Sequence, residues 1–124
     1  LREPGLAVRA GSAAPAARAL LAGAGGLVAV GSNAAPAAYK RLCELARRRE
    51  ATAVADWDAR LATLHAFCAV EPNPIPVKAL LQRLGFGHGV RLPLLPLPER
   101  HHDEAARMAA LVRELEHLCG RPPA

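Results

Sequence analysis

Two lysines, Lys40 and Lys78, are the only side-chain primary amines in the chain. Such an amine condenses with a ketone to form an imine once burial or nearby positive charge lowers its pKa. Neither is well placed for that. Lys40 has Glu44 one turn away on what reads as the wet side of a helix, an arrangement that keeps the ammonium protonated. Lys78 follows a proline-rich stretch, in a segment that also reads as helix. His101, His102 and Asp103 have the residue types of a metal site, but adjacent helical positions point in different directions and no fourth ligand is recognisable. They read as a polar first turn, with Asp103 suited to the helix dipole. His65, His88 and His117 are scattered and take no assigned role. Cys43, Cys68 and Cys119 are odd in number and lack a C-x-x-C pair, which suits reduced thiols packed as small apolar groups rather than a disulfide or a metal site.

Tyr39 reads as a packing residue whose hydroxyl reaches the surface. Asn73, between two prolines, is suited to capping the next helix or to accepting turn hydrogen bonds. The run Gly85-Phe86-Gly87-His88-Gly89 does not follow a strand and so is not a nucleotide loop.

The elements that must position these groups are short. A chain of 124 residues suits one small domain, whereas a closed eight-stranded α/β barrel takes about 250 residues. A hydrophobic share of 52% excludes a disordered tail, and the four aromatic residues amid abundant Ala and Leu favour packed helices. Arg, Gly, Asn or Pro interrupts each apolar run before it reaches the roughly 20 residues of a membrane span. The net charge of +5 is densest at Lys40, Arg41, Arg47, Arg48 and Arg49. Glu44 and Glu50 break that cluster and no aromatic residue there offers a base a stacking surface, so it reads as a solvated face with no nucleic-acid or membrane partner. The reduced cysteines point to the cytoplasm. The start at Leu1, with no basic or apolar leader behind it, points to a segment of a longer chain.

Leu6 to Ala10 and Leu27 to Val30 read as strands separated by a helix over Ala13 to Ala22, giving a βαβ unit with parallel strands. Ser32 and Asn33 are suitable caps for the next helix, with Pro36 in its first turn and Tyr39, Leu42, Cys43 and Ala46 on one stripe. A helix from about Ala51 to Val70 follows, with Trp57, Leu61, Leu64 and Cys68 aligned. Another starts near Pro76, buries Val77, Leu80, Leu81 and Leu84, and ends at Gly85. Prolines and glycines keep Phe86 to Pro98 extended and turning. The last helix, from about Arg100 to Cys119, aligns Met108, Leu111, Leu115 and Leu118. Two parallel strands alone leave two bare edges.

Several of these stretches carry recognisable motifs. Gly26-Leu27-Val28-Ala29-Val30-Gly31-Ser32-Asn33 matches a G-x-I-S-V-x-x-N pattern; it lies after Val8-Arg9-Ala10-Gly11 and before Pro72-Asn73-Pro74-Ile75-Pro76-Val77-Lys78 and Arg91-Leu92-Pro93-Leu94-Leu95-Pro96-Leu97. In content and order they resemble the C-terminal part of the dihydrodipicolinate synthase family, over Leu6 to Glu116. The resemblance implies an α/β fold that is the end of a (β/α)8 TIM barrel, with its last two strands and their helices over 1–49 and a three-helix C-terminal domain over 50–124.

The activity implied is that of a class I pyruvate-dependent lyase. A lysine forms a Schiff base with pyruvate, and the enamine attacks aspartate semialdehyde to give 4-hydroxy-tetrahydrodipicolinate for lysine and diaminopimelate synthesis. No metal or organic cofactor is implied, and the complete enzyme is commonly a homotetramer. The family's lysine and relay tyrosine lie before this segment, so no catalytic residue is expected within it and the chain alone is expected to be inactive. Two substrate-binding positions carry over: Gly11, like the glycine after strand seven, leaves room for substrate, and Val28, like the strand-eight residue, meets pyruvate mainly through its backbone. Ser12 and Ala13 stand where acidic residues are common, and Ala29 where Ser is usual. These departures leave open another aldolase of the N-acetylneuraminate lyase superfamily, and a non-catalytic remnant serving as an interaction module is a further alternative.

Overall fold

A computed structural model describes residues 5–12 and 15–120. Five helices dominate it: α1 (Ala16–Leu21), α2 (Pro36–Arg47), α3 (Ala51–Phe67), α4 (Ile75–Arg83) and α5 (His102–Leu118). Short 3-10 turns at Val30–Asn33 and Glu99–His101 lead into α2 and α5. One apolar cluster runs from Ala16 and Leu20 through Leu42, Leu61, Leu64 and Phe67 to Leu80, Val112 and Leu115. Each such leucine or phenylalanine, fully buried, contributes about 1.5–3 kcal/mol of transfer free energy.

The two expected strands are reduced to a single parallel bridge, Ala10 to Leu27. The pairing direction is as expected but the length is not, because Val30 already belongs to the 3-10 turn and two strands without neighbours gain too little burial to extend. Of the expected first helix, Ala13 and Ala14 lie outside the described residues, and α1 proper begins at Ala16 after Pro15. Gly23, at φ 107°, turns the chain back toward the bridge in a conformation that disfavours any side chain.

α3 buries Leu61 and Leu64 as expected, but it ends at Phe67 rather than Val70, and Phe67 and Val54, rather than the half-buried Trp57 and Cys68, complete its inner face. α4 has Pro76 in its first turn and ends where Gly85 adopts φ 88°, as the glycine's position implied. Asn73 caps nothing: Pro74 is the residue before α4 and no side-chain cap is made. Pro74 and Pro93 follow cis peptide bonds. The turn from Phe86 to Pro98 is held at both ends, by Phe86 N–H donating to the Leu81 carbonyl at 2.8 Å and by the His102 ring Nε2 lying 2.9 Å from the Leu97 carbonyl. Glu71, at the head of the proline-rich segment, is ion-paired with Arg100 at the approach to α5.

In α5 the buried face is Ala105, Met108, Ala109, Val112, Leu115 and Glu116, while Leu118 is 56% exposed. Of the expected stripe, Met108 and Leu115 are buried and Leu111 is half-buried, while Leu118 is not: at 3.6 residues per turn the inward face also takes in Val112 and Glu116. Truncating Leu64 to Ala should lower stability by about 2–5 kcal/mol, whereas Leu118→Ala should stay within about 0.5 kcal/mol; urea unfolding followed by circular dichroism checks both.

Candidate functional site

Three backbone hydrogen bonds bring the ends of the paired segments together. Gly25 N–H donates to Val8 O at 2.8 Å, Ala10 N–H to Gly26 O at 2.9 Å, and Val28 N–H to Ala10 O at 2.8 Å. Because the pairing is parallel, Gly11 and Val28 emerge side by side at the same end, each directly after its bridge residue. Val28 is 67% exposed. A Cβ at Gly11 would meet no atom within 4 Å, so the space beside it is open. Arg9 runs across Gly25 and Gly26, and a Cβ on Gly26 would approach Arg9 Cδ to 3.1 Å. Those two glycines therefore break the chain and also make room for that side chain.

Past Val28 the chain closes into a tight turn. Ser32 Oγ donates to Ala29 O at 2.6 Å and Asn33 Nδ2 to Val30 O at 3.0 Å. Gly31 O accepts from both Ala34 and Ala35 N–H at 3.0 Å. Ser32 and Asn33, read from sequence as caps of α2, instead fold back on the turn and leave α2 without a local cap, since the residue before Pro36 is Ala35. The acceptor comes from far away in sequence. Glu116 Oε1, on α5, accepts the Ala38 N–H at 2.9 Å across 78 residues, and Trp57 Nε1, on α3, donates to Ala38 O at 2.8 Å. Ala38 is the third residue of α2, the position whose N–H a capping side chain ordinarily satisfies. Glu116 is 6% exposed, and a hydrogen bond to a charged group of this kind contributes about 1.5–3 kcal/mol.

Tyr39, next along α2, packs its hydroxyl against Gly31. A Cβ on Gly31 would overlap that oxygen and come within 3.0 Å of the Tyr39 Cζ. The hydroxyl does not reach the surface as its sequence context suggested: Tyr39 is 3% exposed and its oxygen is buried without a hydrogen-bond partner. Its place one residue after Ala38 turns it inward toward Gly31 and the His65 ring, whose centroid lies 5.6 Å away. Burial, with Cys68 and Asp58 adding to it, pushes the phenol well above its usual pKa. Burial also lowers His65, against a smaller opposing pull from Asp58.

The two lysine amines lie on α2 and α4. Lys40 is exposed, with its Nζ 3.8 Å from Glu44, and Lys78 is half-buried on α4. Among the described residues no three His, Cys, Asp or Glu side chains gather as a metal set. The cysteines are free, and burial raises all three, Cys68 to about 11. A groove between α2, α3 and the end of α5 carries both signs of charge, from Lys40, Arg41, Glu44, Asp56 and Arg60, and is lined by no residue of the strand pair.

The model of the dihydrodipicolinate synthetase family matches residues 2–112. The chain belongs to that family. It is 55% identical over 121 residues to the 4-hydroxy-tetrahydrodipicolinate synthase of Xylella fastidiosa, and 56% identical over 121 residues to that of Xanthomonas axonopodis pv. citri. Each match covers 98% of this chain and 40% of the relative, so the chain spans about two-fifths of the curated proteins it matches. Among solved structures it resembles the dihydrodipicolinate synthase of Acinetobacter baumannii complexed with pyruvate, with a TM-score of 0.80 and 32% identity over 86% of this chain and 37% of that one. The 4-hydroxy-tetrahydrodipicolinate synthase of Methylacidiphilum fumariolicum SolV matches with a TM-score of 0.78 and 27% identity over 89% of this chain and 37% of its own.

Two outcomes follow from this geometry. Gly31→Ala should cost about 1–3 kcal/mol by overpacking against Tyr39, and Tyr39→Phe should recover part of the loss in a double-mutant cycle read by urea unfolding. Keeping Cys68 neutral stabilises the fold fully below its ordinary pKa of 9.0, and that contribution is lost as pH rises through about 11. Melting temperature should therefore fall more steeply across that window in the wild type than in Cys68→Ala.

Proposed function

We propose that these residues are the C-terminal part of a 4-hydroxy-tetrahydrodipicolinate synthase, a lyase that condenses pyruvate with aspartate semialdehyde through a lysine Schiff base. The observation that carries this reading is the 55% identity to the Xylella fastidiosa synthase across 98% of the chain. In the same reading, 1–49 supplies the last two strands of a (β/α)8 barrel and their helices, and 50–124 forms the appended three-helix unit. The parallel Ala10–Leu27 bridge with a helix after each segment supports that assignment. The open, solvent-facing condition of Leu6 and Val28 supports it too, since a barrel strand buries such residues against its neighbours.

Gly11 and Val28 then mark the pyruvate end of the site. Their backbones lie together at the C-terminal ends of the paired segments, the end at which barrels of this class hold their substrates. A glycine at position 11 keeps that end free of side-chain bulk, and the Val28 carbonyl and side chain border the same space. The imine-forming amine comes from the preceding strand, outside these residues, and needs no metal or organic cofactor. The assembled enzyme, by the family resemblance, is a cytoplasmic homotetramer. Among the described residues no helix is long and apolar enough to cross a membrane.

Borohydride reduction in the presence of pyruvate tests the chemistry. In the full-length polypeptide carrying these residues, mass spectrometry should find one reduced pyruvyl adduct on a lysine preceding Leu1. The 124-residue chain alone should take up none, and an adduct on Lys40 or Lys78 would overturn the assignment.

A further inference from the structure

Glu116 has no part in the chemistry proposed above, yet it is the one buried charged residue of the described core, and its Oε1 accepts from the first turn of α2. From that contact a short chain of rigid links leads to Val28. Ala38 is fixed by Glu116 from α5 and by Trp57 from α3. Tyr39, the next residue, is wedged against Gly31 with no room for even a methyl group between them. Gly31 O is tied to both Ala34 and Ala35, and Ser32 is tied back to Ala29, so the segment from Ala29 to Pro36 has no slack. A shift in the start of α2 is then passed to Ala29 and Val28, and Val28 N–H is held to Ala10 O at 2.8 Å.

We infer that Glu116 is a positioning residue for the substrate-contacting end of the second strand: it sets the start of α2, and through Tyr39 and Gly31 it sets Val28. The inference rests on the reading of Val28 as a pyruvate contact. It assigns the last helix a function beyond filling the core, because a hydrocarbon of the same volume at position 116 would complete the packing and leave Ala38 N–H without its acceptor.

The test compares Glu116→Leu, which keeps the volume and removes the acceptor, with Glu116→Gln, which keeps an oxygen for the Ala38 N–H. In the full-length polypeptide, Glu116→Leu should raise KM for pyruvate roughly tenfold with kcat within about twofold, and Glu116→Gln should return KM to near the wild-type value. An unchanged KM in Glu116→Leu, or a Gln variant as impaired as the Leu variant, overturns the inference. If Glu116→Leu does not fold, Trp57→Phe, which removes the other tether on Ala38, should raise KM in the same direction, and an unchanged KM there overturns it. A wild-type polypeptide that does not consume pyruvate refutes the proposed function instead. Amide exchange then decides the positioning claim: the amides of Val28 to Ala35 should exchange faster in a folded Glu116→Leu chain and at the wild-type rate in Glu116→Gln, while equal rates in all three overturn it.

Discussion

A helix that opens with Ala35 and Pro36 has no side-chain oxygen of its own for its first N–H groups, and this structure depends on Glu116 to supply one. The first helical position is a proline with no N–H to satisfy, so the exposed need falls on the residues just after it. Glu116 meets it with a carboxyl oxygen at the start of α2, the positive end of the helix dipole. Trp57 binds the carbonyl of the same residue from the other side. Three helices thus meet at Ala38, fully buried and small enough to let them approach. The apolar packing around it is less directional; this junction joins α2, α3 and α5 by hydrogen bonds at one residue.

The helices were legible wherever their signal was local. Leu61 and Leu64 at helical spacing, Pro76 in a first turn and Gly85 at a helix end carry their own physical reasons, and each is found where those reasons put it. The failures are in the partners of polar side chains, near and far in sequence, and in the Leu118 end of the α5 stripe. Ser32 and Asn33 have the chemistry of helix caps, but the turn that precedes α2 claims both side chains for its own carbonyls. Tyr39 was assigned a wet hydroxyl because nothing nearby in sequence announces Gly31 as the hole it fills. Glu116 gave one weak signal, a carboxylate on the same face as Val112 and Leu115, and its partner 78 residues earlier had no signal at all. Polar contacts between distant elements are not encoded in periodicity, which reports only which face is buried.

The strand pair shows the same division at the level of the fold. Helices satisfy their backbone hydrogen bonds internally, and α2 to α5 share one apolar cluster, so they can hold a defined arrangement around few strands. A strand cannot do this, because each of its edges needs another strand or water. Leu6 and Val28 are accordingly left at 69% and 67% exposure, while the helical core a few residues away is closed. The 40% share of its relatives that the chain spans fits that contrast: the helical part is nearly self-sufficient and the sheet part is not.

The contrast also explains where the reactive groups ended up. An imine-forming amine must be held dehydrated beside its substrate, and that environment requires strands on several sides. In this chain the closed, dry space belongs to the helices; it holds Tyr39 and Cys68, whose burial raises their pKa, and Glu116, which is hydrogen-bonded to Ala38 N–H. The amines lie elsewhere, Lys40 in water beside Glu44 and Lys78 on α4. Of the buried polar groups, Glu116 binds the backbone at the start of α2, and Tyr39 packs against Gly31 in the turn before it. On the proposed reading, this segment contributes the placement of a strand end, set from α5 through the Glu116–Ala38 hydrogen bond and the Tyr39–Gly31 contact.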